Sequence, residues 1–222
     1  MKPWEILGRA RAPDGTELTL ARHVSEVIIS AGGQTLMSSR QHASEDALGV
    51  LGCERARTLT EPRVLVGGLG MGFTLRAALD VLPPHASVQV TELLPAVVEW
   101  NRGPLGELAG RPLDDPRVRL EEADVVLTLR ASPGRFDAVL LDVDNGPAAL
   151  TSSSNAGLYE SHGIAAARAS LRPGGVLSVW SARADRAFER RLRQAGFSVR
   201  RERVRDRWPK RGHRDTILIG LT

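Results

Sequence analysis

Val64-Leu65-Val66-Gly67-Gly68-Leu69-Gly70-Met71-Gly72-Phe73-Thr74 decides how this chain is read. An apolar run with the character of a buried strand stops at a glycine-rich turn, and helical spacing resumes in Thr74-Leu75-Arg76-Ala77-Ala78-Leu79. Beyond that helix a second apolar stretch, Val88-Gln89-Val90-Thr91-Glu92, ends in an acid. Strand, glycine turn, helix, strand and terminal carboxylate form the layout of a nucleoside-binding βαβ unit. Glycine lets the backbone come close to a ligand. A carboxylate at the end of the second strand can accept from both ribose hydroxyls.

Outward from this unit the pattern repeats. Strands are expected at 63–66, 87–91, 118–121, 137–141 and 176–180, and helices at 74–81, 95–101, 159–171 and 184–194. Such alternation predicts an α/β fold with a mainly parallel, Rossmann-like sheet covered by helices on both faces. The end of the chain, 197–204 with 215–221, reads as an antiparallel hairpin. The start reads differently, with short strands at 17–22, 26–30 and 34–38, a turn at Gly32-Gly33, and a helix over 44–51. The expected division is an N-terminal β-hairpin region with its linking helix, 1–55, and a catalytic domain, 56–222.

Composition narrows the class. The chain has 222 residues, 42% of them hydrophobic, enough for a full core. No run of about 18 apolar residues occurs, so no membrane-spanning helix and no membrane partner are expected. Met1-Lys2-Pro3-Trp4-Glu5 lacks the apolar core of a signal peptide, and the single cysteine, Cys53, has no partner for a disulfide. A cytoplasmic location is the expectation. The net charge is +4. Much of the positive charge falls late, at Arg183, Arg186, Arg190, Arg191, Arg193, Arg200, Arg201, Arg203, Arg205, Arg207, Lys210, Arg211 and Arg214. A nucleic-acid surface is the less favoured reading of these residues. Asp185, Glu189, Glu202 and Asp206 are interspersed, and no aromatic ladder accompanies them.

Four strand ends carry groups suited to chemistry. They supply Gly68, Gly70 and Gly72, then Glu92, then Asp124, then Asp142 with Asp144 just beyond. The set fits a nucleoside, with backbone against its tail, Glu92 on the ribose and Asp124 on an adenine amino group. Each also has a purely structural role open to it. The glycines can close a turn, Glu92 can cap the helix near Pro95, Asp124 can cap a short helix at 125–129, and Asp142 can order a loop. The stretch 144–158 is long, and at this edge of a sheet long loops are more often functional than idle. No metal site is expected. A dinucleotide-binding domain would share the glycine turn and the later acid. It fits less well, because the spacing is G-x-G-x-G, the terminal hairpin is antiparallel and no second βαβαβ half follows.

The architecture looks like the class I S-adenosylmethionine-dependent methyltransferase fold. Within it the sequence resembles the spermidine synthase (polyamine aminopropyltransferase) family. The likeness rests on Gly32 to Arg40, on Val64 to Leu75, and on Phe136 to Asp142 followed by Gly146-Pro147 and Leu158-Tyr159. It implies that Glu92 is the ribose acid, Asp124 the adenine-contacting acid and Asp142 the first aspartate of the catalytic loop. It also implies a homodimer. The second loop aspartate has no direct counterpart, since Asn145 takes its place and Asp144 stands one residue early. Met71 stands where the family carries an aspartate that repels the carboxylate of the ordinary cofactor. Leu36 stands where the family has a glutamine. Gln41-His42-Ala43-Ser44-Glu45-Asp46 replaces the family's Asp-Glu and Tyr-His.

The expected activity is group transfer from S-adenosylmethionine, or from decarboxylated S-adenosylmethionine, to a small amine-bearing acceptor. Asp142, Asp144 and Tyr159 are the expected catalytic residues. Gly68, Gly70, Met71, Gly72, Glu92 and Asp124 are the expected cofactor residues, with His42 and Glu45 further candidates beside the acceptor. Loss of the repelling acid at Met71 leans toward methyl transfer over aminopropyl transfer. The alternatives are an RNA methyltransferase and a non-catalytic nucleoside-binding protein.

Overall fold

The computed structural model of the chain describes residues 3–12, 14–143, 156–205 and 214–222. Two sheets divide it. The first is antiparallel, with strands β1 (Glu5–Arg11), β2 (Glu17–His23), β3 (Glu26–Ala31) and β4 (Gln34–Ser38) in sequential order. The expected hairpin strands are all present, and β1 is an addition. It escaped the sequence reading because none of its residues is buried, so no apolar alternation marks it. Its Gly8 admits the Trp100 ring, since a Cβ there would lie 2.5 Å from the indole nitrogen.

The second sheet has seven strands. In chain order they are β5 (Arg63–Gly67), β6 (Ser87–Glu92), β7 (Val118–Glu122), β8 (Phe136–Leu141), β9 (Leu171–Ser181), β10 (Ser198–Arg205) and β11 (Arg214–Leu221). In space they run β10-β11-β9-β8-β5-β6-β7. The β9-β8-β5-β6-β7 block is parallel, and β11 and β10 are antiparallel, as expected. Val64, Leu65, Val66, Val139 and Leu140 have no accessible surface, which is why these strands read as unbroken apolar runs. The chain order turns outward on either side of β5, so the carboxyl ends of β5, β6 and β8 frame a crevice.

Helices α1 (Ala43–Gly52), α2 (Phe73–Val81), α3 (Pro95–Arg102), α4 (Val125–Arg130), α5 (Ala156–Tyr159), α6 (Ser161–Ser170) and α7 (Arg186–Gln194) cover the sheet. One continuous helix was expected over 159–171. Instead the segment breaks at Glu160, and Leu171 already belongs to β9. The helix α1 packs on α2 and on β8, β9, β10 and β11, so it belongs to the layer over the large sheet. The fit is close. A Cβ at Gly49 would stand 2.7 Å from Ala77 Cβ and from the Thr74 carbonyl oxygen, and one at Gly52 would stand 2.8 Å from Leu140 Cγ. Among the described residues no helix is long and apolar enough to cross a membrane.

Candidate active site

The glycine turn is the floor of the site. Gly68 and Gly70 take positive φ of 89° and 52°. A Cβ on Gly68 would collide with the Asp142 carbonyl oxygen at 2.2 Å, so the turn and the end of β8 touch backbone to backbone. Gly72 plays another part. It takes φ 86° as the N-cap of α2, and a Cβ there would press on Asn101 Oδ1 and Pro112 Cγ at 3.1 Å. Asn101 ties the turn to α3, its Nδ2 donating to the Gly70 carbonyl at 2.8 Å and to the Val97 carbonyl at 2.9 Å. Nothing in the local sequence flagged Asn101, because its partner lies in a different element.

Above the turn is a cavity of about 210 Å³. Gly68, Gly70, Glu92, Asp124 and Asp142 line it from the strand ends, and Leu18, Ile29, Leu36 and Met37 close it from the N-terminal sheet. Gly72 is not on its wall. Glu92 is buried, and its two oxygens accept from Leu69 N at 2.8 Å and Leu94 N at 2.9 Å. Burial raises its proton affinity, and these backbone donors oppose the rise. The carboxylate therefore shapes the turn while lining the cavity. Asp124 caps α4, its Oδ1 accepting from Val126 N at 2.8 Å, and it also lines the cavity.

A second, smaller cavity of about 50 Å³ opens beside the first. Leu36, Met37, Gly70 and Asp142 line both. Its further walls are Glu45, Leu69, Met71, Phe73 and Trp180. Met71 is thus buried against this chamber and not against the larger one. Asp142 stands on the common wall. Its Oδ2 accepts from the buried Thr74 hydroxyl at 2.6 Å. Burial pushes the Asp142 carboxyl up to about 6. The Thr74 hydrogen bond pulls against that shift, and the nearby charges of Glu92 and Asp215 add to it.

The remaining candidates fall in different places. Tyr159 is buried and lines neither cavity. Its hydroxyl donates to the Val143 carbonyl at 3.0 Å and its ring meets Phe188 edge-on, so it holds the chain just past Asp142. His42 stacks on Phe73 at 4.0 Å between ring centroids and pairs with Asp46 at 2.9 Å, one layer behind the small cavity. Asp144 lies outside the described residues, as do Asn145, Gly146 and Pro147. Among the described residues no cluster of His, Cys, Asp and Glu suits a metal ion. Several late arginines are engaged within the fold. Arg193 and Arg201 pair with the buried Glu189, Arg200 with Glu54 at 2.9 Å, and Arg191 donates to the Tyr159 carbonyl.

No family model matches the chain. Over 145 residues it is 34% identical to the polyamine aminopropyltransferases of Mycobacterium tuberculosis (strain ATCC 25618 / H37Rv) and Mycobacterium bovis (strain ATCC BAA-935 / AF2122/97). The match covers 61% of this chain and 27% of each relative, so the chain spans about a quarter of the length of the curated relatives it matches. Among solved structures, a spermidine synthase in complex with the transition state analogue AdoDATO superposes with a TM-score of 0.76 at 17% identity, covering 97% of this chain and 72% of the other. The spermidine synthase from Thermotoga maritima gives 0.74 at 18% identity with the same coverage. A probable spermidine synthase from Corynebacterium glutamicum ATCC 13032 gives 0.62 at 18%, over 98% of this chain and 80% of that one. The two comparisons agree: the chain has the fold of these spermidine synthase structures, and part of its sequence is similar to the polyamine aminopropyltransferases.

Proposed function

We propose that the chain binds decarboxylated S-adenosylmethionine in the larger cavity and transfers its aminopropyl group to a small amine. The observation that carries this reading is the position of Asp142 on the wall common to both cavities. In this reading Glu92 takes the ribose hydroxyls and Asp124 the adenine edge. The sulfonium then lies near the mouth of the smaller cavity. The acceptor nitrogen attacks the methylene carbon next to sulfur, and the carbon–sulfur bond breaks with its electron pair going to sulfur. Methylthioadenosine leaves, and the proton lost by the amine passes to the Asp142 carboxylate and on to water.

A neutral thioether leaves without acid help, so catalysis rests on alignment and on this one proton. The lean toward methyl transfer drawn from Met71 finds no support in the relatives, which are aminopropyltransferases by name. The smaller cavity is lined by Glu45 and Asp142 among apolar side chains, and a carboxylate on its wall supports a tail ending in an ammonium.

The test is product identity. The chain is incubated with putrescine and either donor, and the products are read by mass spectrometry. Methylthioadenosine with an aminopropylated amine is the expected result. S-adenosylhomocysteine with a methylated amine would overturn the choice of group.

A further inference from the structure

The acids interspersed among the late arginines do not share their surface. Asp185 is engaged as the N-cap of α7, its Oδ1 accepting from Ala187 N at 2.8 Å and from Phe188 N at 2.9 Å. Glu189 is buried on the inner side of α7, where Arg193 reaches it at 3.5 Å and Arg201 meets it from β10, so one carboxylate answers two guanidinium groups. Glu202 alternates to the opposite face of β10 and pairs with Arg200, which also meets Glu54 just past α1. What remains outward is cationic. Arg186, Arg190 and Arg193 are exposed and stand at i, i+4 and i+7, within an arc of about 60° and along about 10 Å of α7. Arg203 is exposed on the face of β10 that carries Arg201 toward α7. Arg168, exposed in the last turn of α6, sets its guanidinium against Gly196 just beyond α7, where a Cβ would stand 3.3 Å from Arg168 Nε. Among the described residues Arg168, Arg186, Arg190 and Arg203 have no carboxylate partner. None of these side chains lines either cavity.

We propose that the outer face of α7, with Arg203 of β10 and Arg168 of α6, is a binding surface for the phosphate backbone of double-stranded nucleic acid. Guanidinium groups hold phosphate oxygens through paired N–H donors and stay charged at any physiological pH. Arranged as a stripe, they fit an anion that repeats along a line better than a single small one. Phe188 and Phe197, the described aromatic residues of this region, are buried, so no platform for stacked bases accompanies the arginines, as a single strand would need. Leu192 is buried with them, whereas a helix that enters a lipid surface must present such residues outward. The contact is with the backbone alone and therefore carries no sequence preference.

Fluorescence anisotropy tests this with the full chain and a labelled duplex of about 20 base pairs, titrated between about 50 and 200 mM salt. Binding should weaken with salt along a straight log–log line whose slope reports about three to five phosphate contacts. Arg186→Gln, Arg190→Gln and Arg203→Gln combined should weaken binding about tenfold or more at the low-salt end and flatten the slope by about 3. Arg190→Glu alone, at an exposed position, should weaken binding several-fold and serves if the triple variant fails to fold. Arg9→Gln, Arg22→Gln and Arg111→Gln combined remove the same charge from exposed positions elsewhere and should leave binding within about twofold. Equal losses in the two triple variants would show net charge alone at work and overturn the surface. Tighter binding of the single strand than of the duplex would overturn the partner, as would binding of phosphatidylserine–phosphatidylcholine vesicles without binding of the duplex. A duplex left unbound by the wild type at the low-salt end overturns the proposal outright.

Discussion

Asp142 keeps its proton up to about pH 6 because its carboxyl is removed from water, and Glu92 and Asp215 add repulsion. Two consequences have definite signs. In the proposed role of base it must be ionised, so kcat/KM should rise with pH through about 6 and level off above, and Asp142→Asn should remove the limb and lower kcat by about 10²–10⁴-fold. For stability, the folded carboxyl binds its proton more tightly than the unfolded one, whose value is near 3.8. This group therefore favours folding at low pH, and that contribution is lost as pH rises from 3.8 to about 6. Thr74 opposes the shift by donating to the ionised form. Thr74→Val should move the acid limb of the kcat/KM profile to higher pH, and Thr74→Ser should restore it. A profile that stays in place in Thr74→Val would separate Asp142 from the observed ionisation. The sequence pointed to Asp142 because it ends an apolar strand. It gave no sign of Thr74, whose hydroxyl meets the carboxylate only after α2 docks beside β8.

At the scale of elements, the helix α1 is the piece that local pattern described least. Its length was legible from the apolar spacing at 44–51, but its place was not. Linked in sequence to the small sheet, it packs on the large one, and its contact depends on two glycines that a propensity argument would count only against a helix. Gly49→Ala would relieve that propensity cost, yet the new methyl would press on the Thr74 carbonyl and on Ala77. The expected net effect is destabilisation by about 1–3 kcal/mol, measured by urea unfolding, since overpacking outweighs propensity at so short a distance. A stabilised Gly49→Ala would show that α1 rides loosely on α2.

For the whole molecule, the parallel sheet, its strand-end acids and the terminal hairpin were readable because each is written into a contiguous run of sequence. The large cavity was half readable. Its floor belongs to the strand ends, but its roof comes from β2, β3 and β4, whose part in the site follows from how the small sheet lies over the crevice. The smaller cavity was not readable as a unit. Glu45, Phe73, Asp142 and Trp180 come from four separated stretches, and only the finished fold makes them neighbours. Tyr159 shows the converse. A residue placed in the site by sequence turns its hydroxyl to the Val143 carbonyl and orders the chain leaving β8.

Cys53, at the C-cap of α1, has no accessible surface, and burial pushes its thiol up to about 12. It is therefore a silent clock for the opening of this helix. A thiol reagent can modify it only when α1 lifts from the sheet, so the labelling rate counts those excursions without any engineered probe. If the helix closes the chamber that receives the donor tail, a ligand filling that chamber must suppress the openings. Decarboxylated S-adenosylmethionine should then slow labelling of Cys53 more than methylthioadenosine does at equal site occupancy. Equal slowing by both would mean that the tail makes no use of α1. One sulfur atom thus turns the fit between a helix and a small molecule into a rate that can be read in a cuvette.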